Sequence, residues 1–61
     1  MINENDLVRL MVSDGTTIKV WVGKFIGGGL TTGSTVELEL SNGQPLIVPA
    51  TRVYAIEGLS L

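Results

Sequence analysis

The stretch Pro45-Leu46-Ile47-Val48-Pro49-Ala50-Thr51-Arg52-Val53-Tyr54-Ala55-Ile56 decides how this chain folds. Leu46, Ile47 and Val48 form a short apolar run of strand type. Pro49 has no N–H to give to a ladder, so it ends that run. Residues 50–52 leave room for one tight 3-10 turn. Val53, Tyr54 and Ile56 then begin a second run rich in β-branched and aromatic residues. The stretch reads as strand, single turn, strand.

Working back toward the start, helical periodicity is absent. β-Branched, aliphatic and polar residues alternate between Asp-Gly, Asn-Gly and Gly-rich punctuation. The runs fall at 7–13, 16–26, 35–41, 44–48 and 53–57, which predicts five short strands and an all-β domain. Two segments, Leu10 to Ile18 and Leu38 to Leu46, share Ser-Asp/Asn-Gly between apolar residues at an offset of 28. They read as two similar hairpins. A three-residue loop with a left-handed glycine predicts Val8 opposite Val20, Leu10 opposite Ile18 and Val12 opposite Thr16. In the second hairpin it predicts Val36 opposite Val48 and Leu38 opposite Leu46, with Glu37 and Glu39 turned outward. One step of register moves every side chain to the other face, so this choice fixes which residues are buried.

In layout, residues 7–57 resemble the SH3-like small barrels, in which a proline opens a short 3-10 turn and a valine begins the closing strand. Here those residues are Pro49 and Val53. Within that superfold the chain has a weaker resemblance to the Sm-like group, which includes the Hfq-like RNA chaperones. Asp14-Gly15 with Ile18 and Phe25 is similar to its first motif, and Val48, Val53 and Ile56 to its second. Val20 stands where that group has a glycine, Ile26 and the glycine loop stand at its RNA-binding Asp and Asn, and Pro49-Ala50 or Ala50-Thr51 replaces its basic pair. The resemblance therefore implies the five-stranded barrel and not the RNA site. The tiny type II dihydrofolate reductases share the layout, but Leu46 and Val48 occupy their glutamine and tyrosine positions. Their chemistry does not carry over.

At 61 residues the chain is read as a single domain, 1–61, with residues 1–6 a flexible N-terminus and 58–61 a C-terminal tail. A domain this small buries only about 60% of its unfolded surface and needs a supplement to its core. There is no Cys and no His, so disulfides and most zinc sites are excluded and no metal or cofactor is expected. Self-association is the remaining supplement. With 44% hydrophobic residues the chain has too few polar positions to cover every outward face, so a homo-oligomer is expected. The formal charge of −2 does not favour a general grip on nucleic acid. The apolar stretch 20–30 carries Lys24 and four glycines and is too short to span a bilayer. No signal-peptide pattern opens the chain, so the expected setting is cytoplasmic, away from membrane.

No nucleophile with a base and no paired carboxylates in a cleft can be read here, and no enzymatic activity is expected. In the predicted register Arg9 lies across from Lys19, Leu7 across from Trp21 and Met11 across from Thr17. Two readings of that face follow. Arg9, Lys19 and Trp21 could bind an anion or a stacked base. Alternatively, Leu7, Met11, Trp21 and Phe25 pack against a neighbouring subunit, with Arg9 and Lys19 reaching Glu37 and Glu39 across the boundary. The loop Gly27-Gly28-Gly29-Leu30-Thr31-Thr32-Gly33-Ser34 fits neither a Walker nor a dinucleotide pattern. It is either a plain strand connection or a backbone nest in which Gly28, Gly29, Thr31, Thr32 and Ser34 hold an anion. The functional expectation is a non-enzymatic oligomeric binding or adaptor module that presents this basic-aromatic strand face and the loop to a protein, nucleic acid or small anionic ligand. The alternative is a purely structural assembly subunit with no ligand.

Overall fold

The computed structural model describes residues 2–31 and 33–59. It is all-β, with five antiparallel strands in one sheet: β1 (Leu7–Ser13), β2 (Ile18–Gly28), β3 (Thr35–Glu39), β4 (Pro45–Pro49) and β5 (Val53–Gly58). A 3-10 turn, Ala50–Arg52, joins β4 to β5 as Pro49 and Val53 predict. The spatial order is β4-β3-β2-β1-β5, so the two sheet edges are consecutive strands. Three residues span at most about 10 Å. The sheet must therefore curl to bring β4 and β5 to the ends of that turn. No helix long and apolar enough to cross a membrane occurs among the described residues.

The curl encloses a small core of Val8 and Leu10 from β1, Val36 and Leu38 from β3, and Val48 from β4. Ile2, Val12, Phe25, Leu46, Val53 and Ile56 pack around it. Among the described residues no polar or charged side chain is buried. Gly23 is the pivot on β2, where a Cβ would lie 2.7 Å from the Glu39 carbonyl oxygen. Only a residue without a side chain lets β3 come that close.

The second hairpin has the predicted register, with Val36 opposite Val48 and Leu38 opposite Leu46. Leu40 donates its N–H to Gln44, closing a Ser41-Asn42-Gly43 loop in which Gly43 has φ +84°. The first hairpin differs from its expected register by three residues. Leu10 faces Trp21, Met11 faces Val20, Val12 faces Lys19 and Ser13 faces Ile18. The cause is Asp14. Its carboxylate accepts the backbone N–H groups of both Thr16 and Thr17, at 3.0 and 2.8 Å, and both threonine hydroxyls. Asp14 also donates its own N–H to the Thr17 carbonyl. The loop therefore runs through Thr17, and an odd-numbered slip turns β2 over.

The stretch before β1 is hydrogen-bonded to β2. Asn5 donates its N–H to the Phe25 carbonyl and Phe25 donates to that of Asp6. At the other end Leu59 donates to the Leu7 carbonyl, and residues 60 and 61 of the expected tail lie outside the described residues.

Candidate functional site

The register of β1 on β2 decides which candidate residues meet. Arg9 stands between Val22 on β2 and Glu57 on β5, on the outer face of the sheet. Its guanidinium donates from Nε and Nη2 to one Glu57 carboxylate oxygen. Lys19 and Trp21 stand opposite Val12 and Leu10 on the inner face. The expected grouping of Arg9 with Lys19 and Trp21 on one face is therefore corrected: the inner face brings Lys19 and Trp21 together, two positions apart on β2, and Arg9 belongs to the outer side. Leu7 does not face Trp21, nor Met11 Thr17. Leu7 faces Lys24 and Met11 faces Val20.

The four expected interface residues divide in the same way. Leu7 and Met11 lie on the outer face, while Trp21 and Phe25 lie on the inner one, Phe25 against the core. Reading the sequence for aromatics missed Ile18, Val20 and Val22. They are 47%, 56% and 48% exposed and extend the outer apolar surface beside Met11. The signal was present in the run Ile18 to Val22, where apolar residues occupy both alternating sets. That pattern belongs to a strand covered on both sides. Beside Val22 a groove of about 270 Å³ is bordered by Leu7, Lys24, Glu39 and Leu40.

The glycine loop connects β2 to β3 at the other end of the sheet. Gly28 has φ +119°, and a Cβ there would collide with the Thr35 carbonyl. The Gly29 N–H is given to Thr35 and the Ser34 N–H to the Thr31 carbonyl, and the Thr31 and Ser34 hydroxyls bond each other at 2.9 Å. Those groups are satisfied within the loop. Thr32 lies outside the described residues. Gly28, Gly29 and Leu30 instead border an apolar cavity of about 140 Å³ with Ile2, Phe25, Val36 and Ile56.

The Asp14 carboxyl is held well below the usual carboxylate range by the two threonine N–H groups and then by the two hydroxyls. Its four hydrogen bonds tie it to the turn. Among the described residues no three His, Cys, Asp or Glu side chains gather as a metal site. No family model, curated protein or solved structure matches this chain.

Proposed function

We propose that this chain is a non-catalytic, self-associating binding module built as a small SH3-like barrel. Edges formed by consecutive strands, joined through a three-residue 3-10 turn, support the barrel reading. The strand β2 supports self-association, since it presents Val20 and Val22 on one face and Trp21 and Phe25 on the other. A solitary small domain leaves such a strand half in water, and a partner removes it.

The observation that carries the ligand reading is the pairing of Trp21 with Lys19 on the inner face. Trp21 is 36% exposed, so part of the indole is open beside a lysine whose ammonium is not drawn into an ion pair among the described residues. An open ring beside a cation suits a flat or anionic group. Arg9 contributes less to such a site, because Glu57 neutralises it. The glycine loop supplies the wall of an apolar cavity in this reading rather than an anion nest.

Trp21 is the single tryptophan and reports on its own surroundings. Titration with a single-stranded oligonucleotide and with an acidic peptide is expected to change its emission in at least one case. Loss of that response in Lys19→Ala, with the oligomeric state unchanged, supports the pair as the ligand site. An unchanged response removes it. The outer apolar face favours a second reading, a structural subunit that binds only other copies, which an absence of any response by a well-formed oligomer would support.

A further inference from the structure

The outer face of β1, β2 and β5 is built in rows: Val20, Met11 and Ala55 in one, Val22, Arg9 and Glu57 in the next, Lys24 and Leu7 in the third. We propose that this face is a two-fold interface with a second copy of the same chain. The proposal rests on the self-associating reading and names the surface that carries it.

Three observations commit the face to a second copy. The first is charge. The chain has a net charge of −2, yet the charged residues in these three rows, Arg9, Lys24 and Glu57, together with Glu39 directly opposite Lys24 on β3, sum to zero with the signs side by side. Nucleic acid demands an excess of cations. A neutral face of alternating signs can meet its own copy without like charges opposed, as an isologous contact requires. The second is shape, since the exposed Val20 and Val22 side chains beside Met11 form an apolar ridge, and Val22 also lines the adjoining groove with Leu7, Lys24, Glu39 and Leu40. A two-fold rotation offers each copy's ridge to the other's groove. The third is size. One broad side of a molecule 30 by 21 Å in extent bounds the area open to a partner at on the order of 600 Å², below the ~800 Å² per partner of a standard interface but of the same order.

The test uses complementary charge reversals, which leave the core untouched. In R9E both members of the central pair are acidic, and in E57R both are basic. Each variant alone is expected to associate about tenfold or more weakly than the parent in sedimentation equilibrium. An equimolar mixture is expected to recover association as a mixed species in native mass spectrometry. The exposed ion pair is worth at most about 1 kcal/mol to the fold, so both variants should retain the β-sheet circular dichroism of the parent. A second variant, V20K/V22K, places two cations in the ridge and is expected to be monomeric while folded. Parent-like association of folded V20K/V22K, or failure of the mixture to form mixed species, overturns this interface and leaves self-association through another surface intact. A parent chain that is monomeric at high micromolar concentration overturns the self-associating reading itself.

Discussion

Leu10 on β1 stands directly opposite Trp21 on β2, and the two share the inner face of the sheet. Leu10 is wholly buried while Trp21 is 36% exposed. Trp21 therefore stands beside the core rather than within it, across from Leu10 and partly open to water. Truncating it exposes apolar surface around Leu10 and removes a cross-strand pair. Trp21→Ala is expected to lower stability by about 1–3 kcal/mol, and Trp21→Phe by less than half of that. Urea denaturation followed by circular dichroism at one fixed protein concentration measures both, since association shifts the midpoint by mass action.

The two glycines that end β2 differ in what they must do. Gly28 combines a left-handed φ with direct contact between its backbone and the Thr35 carbonyl, whereas a Cβ at Gly27 meets nothing within 4 Å and needs no unusual φ. Gly28→Ala is expected to cost about 2 kcal/mol or more, from strain and from displacement of β3. Gly27→Ala should change stability by no more than about 0.5 kcal/mol. Thermal melts of the two variants side by side check the contrast. Equal losses would mean that the close approach of β2 and β3 at Gly28 is not what holds this connection.

The two hairpins show where the sequence was legible and where it was not. In the second, Asn42 accepts only the Gln44 N–H, at 3.0 Å, and Pro45 begins the next strand directly. The turn can close in one way, and alternation alone set its register. In the first, two threonines follow Asp14-Gly15, and each offers both an N–H and a hydroxyl to one carboxylate. Those side-chain bonds outweigh the pattern of alternation, which for β2 carried little information because both of its faces are apolar. Strand existence, order of elements and the 3-10 turn were all readable, because Pro49 and the Gly-containing turns punctuate the chain locally.

The candidate site followed the register. Arg9 was identifiable as an outward residue, but its partner Glu57 is 48 positions away. Nothing short of the β1–β5 pairing brings the two together. Lys19 and Trp21 share a face whatever the register, since they are two apart on a strand, but the face is the inner one and not the outward one that the expected register gives them. Alternation alone turns Ile18 and Val20 inward, opposite Leu10 and Val8, because apolar residues are counted toward the core by default, although this chain is too short to bury them all.

Leu38 tests how thin the core is. It is wholly buried on β3, opposite Phe25 on one side and Leu46 on the other. A Leu→Ala change at such a site costs about 2–5 kcal/mol. That is comparable to the roughly 3–9 kcal/mol expected for a whole domain of this length. Leu38→Ala is expected to be largely unfolded at 37 °C in urea-free buffer. Ile47→Thr, at a 58% exposed outer position of β4, is expected to stay within about 0.5 kcal/mol of the parent. Circular dichroism melts distinguish the two.

Asp14 gives the fold a dependence on acid. Its carboxyl is held well below its ordinary value of 3.8 by the Thr17 and Thr16 N–H groups and their hydroxyls. A carboxylate favoured in the folded state contributes stability that is fully present above the unfolded value and is lost as pH falls below it toward the folded value. Asp14→Asn retains an oxygen for the two threonine N–H groups but cannot ionise, so its own contribution does not vary with pH. The parent is expected to be more stable than Asp14→Asn at pH 6, with the gap narrowing steadily once the pH drops below about 4. Melting temperatures of both proteins measured from pH 6 to pH 2 follow that gap. A constant difference across the range would show that the turn is held by the geometry of the oxygen alone and that the charge on Asp14 adds nothing.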